Sequence, residues 1–580
     1  MKQVKWRWFL VALVLMIFCP PGAVWAAPSV PNSSASAARI LISGHILDSH
    51  KDPVQDADIN VWINGKLHRG TKAEKMLSQG DGEYLVDLEL NHSLPADSSI
   101  SVEVHKSSFK LVRETFTLSQ SARRGNEFFF QKDFSLKRVL GPAFWIATLV
   151  LLGVYAMITL EILHRTIVAM LGAAVILAVS AIFGSTNPAY HIISFETAMH
   201  KIDLNVILLL LGMMVIVGVL KESGIFQWSA ARCFAAARGN ILVLAFILMA
   251  FTAVTSAFLD NVTTMLLVAP VTIEIALALG ISPLALLIPE TLASNVGGTA
   301  TLIGDPPNIM IGSYAGLSFL SFMQNLAIIC LIIMVPLFII SKLFYGKEYH
   351  EGKVEDPAAF ARALKEEHRI TDRKLLGVGL AVLALVICLF LTHSIWHMEV
   401  SVAALFGASL FFAYALLTGR VRVQEFMEKE IDWATLLFFL FLFIIIGAVE
   451  ESGLLSLIAD WILEASRGHM TAAICMILWG SAIMSAFIDN IPFTATMLPI
   501  TAYLTQVIPG SQSGVLWWAL ALGACLGGNG TMIGASANVV TVGIAEARGH
   551  NISFLKFMKI GFLYMVISVA IANVYLLVFY

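Results

Sequence analysis

Long apolar runs alternate with short polar interruptions from about residue 144 to the C-terminus. Runs at about 144–163, 167–184, 203–220, 283–313 and 319–343 are each long enough to cross a bilayer as a helix. A second set follows at about 375–393, 401–419, 432–450, 515–545 and 554–580. Between the third and fourth members of each set lies another apolar stretch, 241–280 and 471–509, interrupted by Asp260-Asn261 and Asp489-Asn490. A polar pair in such a place suits the tip of a re-entrant hairpin, because non-helical backbone at membrane depth is tolerated only where protein or a water-filled cavity surrounds it. Ahead of this region the period changes. Ile59–Ile63 and Ile100–Val104 alternate, and Asn64-Gly65 and Gly80-Asp81-Gly82 mark turns, so residues 40–137 read as a small β-sandwich.

The two sets are copies. Ser256-Ala257-Phe258-Leu259-Asp260-Asn261 returns as Ser485-Ala486-Phe487-Ile488-Asp489-Asn490, 229 residues on (489 − 260). Asp203 matches Asp432, and Glu222-Ser223-Gly224 matches Glu451-Ser452-Gly453, at the same offset. Gly297-Gly298, Thr301, Gly304 and Asn308 match Gly527-Gly528, Thr531, Gly534 and Asn538 at 230. Five crossings per copy is an odd number, so the copies must run in opposite directions. Charge agrees: residues 221–240 carry Lys221, Arg232 and Arg238, whereas 450–469 carry Glu450, Glu451, Asp460 and Glu464 against Arg467. Positive loops stay in the cytoplasm, which puts the basic linker 344–374 inside and the N-terminal domain and the C-terminus outside.

The expected fold is an all-α polytopic membrane protein: two inverted repeats of five transmembrane helices, each with a re-entrant hairpin and a broken helix, preceded by a small exported all-β sandwich. Its expected parts are a signal peptide (1–26), a linker (27–39), the sandwich (40–137), the first repeat (144–343), a cytoplasmic linker (344–374) and the second repeat (375–580). Composition supports a polytopic membrane chain, with 58% hydrophobic and 13% charged residues in 580, against about 25% charged in soluble domains. Lys2, Lys5 and Arg7 precede the apolar run Phe9–Phe18, and Val24-Trp25-Ala26 fits cleavage after Ala26. The six cysteines have neither disulfide nor metal-ligand spacing. No phosphate-binding G-x-x-x-x-G-K-[ST] motif occurs, so an ion gradient is expected to drive any transport unless a partner protein supplies the energy. No nucleic-acid partner and no cofactor is expected.

Carboxylates at membrane depth are costly and mark ion or proton routes, which singles out Asp260 and Asp489 with Asn261 and Asn490. A second constellation runs through Ser294, Asn295, Gly297, Gly298, Thr299, Thr301, Asp305 and Asn308, and recurs as Gly527, Gly528, Asn529, Thr531 and Asn538. Paired glycines permit unusual backbone conformations, and Asp305-Pro306 can cap and start a new helix. Together they describe a helix broken inside the membrane, whose freed carbonyls and amides can meet ions. The first copy holds two extra carboxylates, since Glu290 corresponds to Leu520 and Asp305 to Ala535. Glu290, Asp260, Asp305 and Asp489 are the candidates for proton coupling.

The run Ala293–Gly312, centred on Gly304-Asp305-Pro306-Pro307-Asn308, resembles the ion transporter superfamily, and within it the arsenite permeases, NhaD-type sodium–proton antiporters and the P-protein branch, with their citrate-transporter-like domain. The resemblance covers about 144–580. It implies substrate and coupling ion (Na+ or H+) bound near the midplane, an elevator-like movement and a homodimer in the inner (plasma) membrane. Gly44–Asp48, Pro53-Val54 and Asp81–Tyr84 resemble the carboxypeptidase regulatory-like β-sandwich family, which implies an adhesive or assembly role. The expected function is secondary active transport, either cation–proton antiport or inorganic anion transport, with an organic-acid permease as the alternative. A membrane sensor and an intramembrane aspartyl protease are remote alternatives; the latter uses Gly-x-Gly-Asp, and Leu302 stands three before Asp305.

Overall fold

The computed structural model describes residues 38–580 except 49–52, 55–56, 69–75, 80, 91–93, 96, 107, 125–126 and 352–356. The expected signal peptide and all but the last two residues of the first linker lie outside the described residues. The chain forms two compact units, one ending at Lys137 and one running from Arg138 to Tyr580.

Among the described residues, the first unit holds nine strands: β1 (Ala38–Asp48), β2 (Asp58–Ile63), β3 (Lys66–His68), β4 (Glu83–Leu90), β5 (Ser99–His105), β6 (Val112–Thr117), β7 (Ala122–Arg124), β8 (Glu127–Gln131) and β9 (Phe134–Leu136). One sheet has the order β4-β1-β8-β7, with β9 also pairing β1; the other is β3-β2-β5-β6. Alternation along β2 buries Ile59, Val61 and Ile63, the mark of a strand with one covered face. Phe116 of β6 meets Phe130 of β8 at 4.6 Å, which joins the two sheets. Ala38 and Arg39, read as linker, already pair with Leu90 and Glu89.

The second unit is helical. The first repeat comprises α1 (Pro142–Thr159), α2 (Arg165–Ile182), α3 (Phe195–His200), α4 (Leu204–Lys221), α5 (Ile225–Ala237), α6 (Ile241–Phe258), α7 (Asn261–Ala278), α8 (Leu284–Thr299), α9 (Pro306–Ala315) and α10 (Phe319–Glu351). After α11 (Pro357–Glu367) come α12 (Arg373–Thr392), α13 (Val400–Leu417), α14 (Val423–Lys429), α15 (Trp433–Ser452), α16 (Leu454–Ser466), α17 (Met470–Phe487), α18 (Asn490–Val507), α19 (Val515–Gly527), α20 (Ser536–Ala547) and α21 (Phe554–Phe579). Among the described residues, eleven helices are long and apolar enough to cross a membrane.

Both hairpins form, as α6–α7 and α17–α18, and both predicted long helices break, as α8/α9 and α19/α20. α10 runs on to Glu351, past the expected end of the first repeat, and the linker holds α11. The connectors at 221–240 and 450–469 contain α5 and α16. Their apolar residues recur three or four apart, so each buries one face: Phe226, Ala230 and Phe234 in one, Leu455, Ala459 and Ile462 in the other. Each follows the repeated Glu-Ser-Gly, whose Gly224 (φ 76°) and Gly453 (φ 92°) turn the chain in the left-handed region.

The two copies interleave. α2 packs on α15 and, equivalently, α13 on α4; α6 packs on α8 and α17 on α19; α20 packs on α7 and α9 on α18. α8 and α19 are buried along their whole lengths. At the ends of α4 and α15 two ion pairs form. Lys201 Nζ lies 3.0 Å from Glu450 Oε2, and Lys221 Nζ lies 2.9 Å from Glu430 Oε1.

Candidate functional site

Each hairpin turns at an Asp-Asn pair because the aspartate caps the second arm. The Asp260 carboxylate accepts from Thr263 N and Thr263 Oγ1, both at 2.9 Å, at the start of α7. Asp489 accepts from Ile491 N at 3.0 Å at the start of α18. The carboxylates thus serve the hairpin fold and still reach the space beyond the tips.

Behind the tips lie the helix breaks, built alike in both copies. Gly297 rests against the Ala253 backbone, and Gly527 against the Ala482 backbone, where a Cβ would collide. Thr301 Oγ1 donates to Ala257 O, and Thr531 Oγ1 to Ala486 O. Asn308 Nδ2 donates to Thr299 O (3.0 Å) and Thr301 O (2.8 Å); Asn538 Nδ2 donates to Gly528 O (2.7 Å) and Thr531 O (2.8 Å). Each asparagine thereby takes up carbonyls that the break releases. The copies meet at Asn295, whose Nδ2 donates to Asn529 Oδ1 and Asn538 Oδ1, both at 2.9 Å. Asn261 Nδ2 reaches Asn295 Oδ1 at 3.3 Å, and Ser294 Oγ reaches Ser256 Oγ at 3.1 Å.

A cavity of about 370 Å³ opens at the first tip. Its lining includes Asp260, Asn261, Asp305, Asn490, Arg165, Lys221, Lys429, Glu430, Asp432, Thr435 and Ser536. A second, of about 500 Å³, is lined by Asp489 with Glu161, His164, Arg165, Asp432 and Ser536. Arg165, Val262, Asp432 and Ser536 border both. Of the acidic groups, Asp489 is paired with Arg165 at 3.2 Å and Glu430 with Lys221. Asp260, Asp305 and Asp432 form no ion pair among the described residues.

The tips therefore bring together Asp260, Asn261, Asp305, Asn490 and, on the second cavity, Asp489. Ser294, Asn295, Gly297, Gly298, Thr299, Thr301, Asn308, Gly527, Gly528, Asn529, Thr531 and Asn538 line neither cavity. They form the buried frame that holds the tips. Glu290 is buried as well, with Thr272 Oγ1 donating to Oε1 at 3.1 Å and Oε2 without a partner, and it too lies outside both cavities. The side chain of Asp305 occupies the cap position of α9 without making the cap hydrogen bond. It accepts instead from Asn490 Nδ2, at 3.4 Å, across the repeat boundary. Glu274, Glu367 and His368, the group of possible metal ligands within 4.8 Å of one another, border neither cavity.

Sequence reasoning missed Arg165 and treated Asp432 only as a mark of the repeat. The signal for Arg165 was a lone arginine at the head of an apolar run. For Asp432 it was membership of the same duplicated series as the tip aspartates.

The citrate transporter family model matches residues 155–523. The chain belongs to the citrate transporter family. It is a multi-pass membrane transporter of that family, and relatives agree. An uncharacterized transporter of Mycobacterium tuberculosis is 40% identical over 432 residues, covering 74% of this chain and 97% of that protein. The P protein of Homo sapiens is 35% identical over 508 residues, covering 75% of this chain and 59% of the P protein. Among solved structures, the YdaH transporter of Alcanivorax borkumensis covers 72% of this chain and 98% of its own, with 16% identity and a TM-score of 0.49.

Proposed function

We propose that this family member exchanges a small cation for protons, driven by an ion gradient. The observation that carries the reading is the set of three carboxylates, Asp260, Asp305 and Asp432, around one cavity, with no cationic side chain paired to any of them among the described residues. Neighbouring carboxylates in a partly dehydrated space repel one another, and the repulsion is relieved by a bound cation or by protonation. A cation entering such a set releases protons and protons entering it release the cation, which is the chemistry of an antiporter. Asn261 and Asn490 on the same wall add neutral oxygen ligands suited to a hard ion.

The cavity reaches Lys221 and Lys429 at helix ends, and by the positive-inside rule that end faces the cytoplasm. In this reading the arrangement is open inward, and the hairpins and broken helices travel as one body against α1, α2, α4, α12, α13 and α15, in a homodimer.

The test is reconstitution of the full chain into liposomes with an internal pH dye. Pulses of sodium or lithium chloride should change the internal pH, and Asp260→Asn should reduce the response about tenfold or more. A parent protein that gives no cation-dependent pH change sinks the reading.

A second reading has one observation in its favour. Arg165 borders both cavities, and an arginine is the usual partner of an organic acid. Labelled citrate uptake by the same liposomes, without any sodium- or lithium-evoked pH change, would select an organic-acid permease.

A further inference from the structure

Arg165 stands at the start of α2, with its side chain 22% exposed. Nη1 donates to Asp489 Oδ2 at 3.2 Å and to Ser536 Oγ at 2.5 Å, and Nη2 donates to Thr435 Oγ1 at 2.8 Å. The guanidinium lies over the Phe438 ring, 5.3 Å from its centre. Ser536 Oγ itself reaches Asp489 Oδ2 at 3.3 Å. Two groups of elements are joined by this one side chain. Thr435 and Phe438 belong to α15, on which α2 packs; Asp489 and Ser536 belong to the second hairpin tip and the start of α20.

Asp260 and Asp489 occupy equivalent tips, yet they are treated differently. Asp260 accepts from the Thr263 amide and hydroxyl, both from its own helix, and among the described residues no cationic side chain pairs with it. Asp489 holds a cation that is part of the protein. An anion-binding arginine presents its donors to the ligand, whereas three donor contacts of Arg165 are already taken up by protein oxygens, one of them a carboxylate.

We propose that Arg165 is a tethered counter-ion: it occupies Asp489 while the cavity lined by Asp260, Asp305 and Asp432 is empty, and a cation arriving there, at the wall Arg165 shares between both cavities, takes its place on Asp489. Departure of Arg165 from Asp489 and Ser536 then removes the charged tie between the second hairpin and α20 on one side and α2 and α15 on the other, leaving the direct packing of α18 on α15. Loading is in this way coupled to release, and an empty site stays latched. The proposal rests on the cation reading above.

Thermal unfolding of the detergent-solubilised full chain, titrated with sodium or lithium chloride against choline chloride at constant ionic strength, measures cation binding without requiring transport. Removing a tethered competitor should lower the half-stabilising cation concentration. Arg165→Gln is expected to lower it about fivefold or more, the lower end of ordinary site-to-site coupling. Arg165→Lys should stay near the parent, and in the Asp489→Asn background Arg165→Gln should have no further effect. Should Arg165→Gln fail to fold, Ser536→Ala weakens the same contact with both charges kept, and should shift the concentration in the same direction.

Half-stabilising concentrations equal to the parent's in Arg165→Gln, or in Ser536→Ala if that is the variant that folds, overturn the role of Arg165 and leave the cation reading standing. No cation dependence in any protein, parent included, removes the cation reading and this proposal with it. Stabilisation of the parent by choline citrate that disappears in Arg165→Gln makes Arg165 an anion ligand, and likewise overturns the proposal.

Discussion

Asp432 and Asp203 stand 229 residues apart (432 − 203) and cap α15 and α4 alike, yet only Asp432 faces the cavity. Asp432 accepts from Thr435 N at 3.0 Å, and Asp203 from Val206 N at 3.2 Å. One capping position has acquired a second task in one copy and not in the other.

Asparagine caps a helix as well as aspartate does, so an amide substitution at Asp260 or Asp432 removes charge and keeps the fold, and Asp305 has no cap hydrogen bond to lose. Asp260→Asn, Asp305→Asn and Asp432→Asn should each reduce cation-evoked proton flux about tenfold or more, the effect of ~1.4 kcal/mol at the binding step. Asp203→Asn should leave flux within about twofold, as expected of a site away from the chemistry. Flux from dye-loaded liposomes, normalised to reconstituted protein, checks all four.

Gly297 and Gly527 allow a hairpin arm to touch a broken helix backbone to backbone. Gly297→Ala and Gly527→Ala should each destabilise the protein by about 1–3 kcal/mol through overpacking. At Gly377, in α12, an added Cβ meets nothing within 4 Å. There, alanine should be neutral or stabilising by about 0.5–1 kcal/mol. Thermal unfolding of the three variants separates the two cases.

Thr272 and Thr501 are equivalent (501 − 272 = 229), but Thr272 donates to Glu290, whereas the Thr501 hydroxyl is buried without a partner among the described residues. Leu520 stands where a second Glu290 would be. Thr272→Val leaves a buried carboxyl without its donor and should cost about 1–3 kcal/mol. Thr501→Val should cost nothing or stabilise. Equal losses of thermal stability in both variants would contradict this account.

Asp372 precedes α12, accepts from the Arg420 Nε and from the amides of Leu375 and Lys374, and the arginine holds its carboxyl down to about 2. A carboxyl lowered on folding contributes stability above its unfolded value, about 3.9, and loses that contribution as the pH falls through the folded one. Asp372→Asn should therefore melt below the parent at pH 5 and above, and the gap should narrow from about pH 4 and close near pH 2. A gap that persists unchanged at pH 2 would rule out this ion pair as its source.

The scaffold was legible because membrane depth constrains sequence severely. Five runs, an interrupted sixth and a repeat at 229 leave few folds, and Asp260, Asp305 and Asp489 stand out as carboxylates where carboxylates are costly. Arg165 and Asp432 sit at run ends, where charge is ordinary, and only tertiary packing brings them to the tips. The polar residues beside the paired glycines read as ligands because polarity inside a membrane signals function. In the structure Asn295, Asn308 and Asn538 hydrogen-bond to neighbouring asparagines and to carbonyls of the breaks. Sequence pattern cannot distinguish a polar group that serves the backbone from one that serves a ligand. α5 and α16 escaped the pattern because their length is too short for a crossing and their polar faces resemble connectors.

The ion pairs Lys201–Glu450 and Lys221–Glu430 carry a consequence for assembly. Lys201 and Glu430 are equivalent (430 − 201 = 229), as are Lys221 and Glu450 (450 − 221 = 229), so the two copies hold opposite charges at the same positions. Two first halves brought together in the native arrangement would set lysine against lysine at both ends, and two second halves would set glutamate against glutamate. At these positions the halves are complements, a heterodimer written on one chain, and neither can close these contacts with a copy of itself.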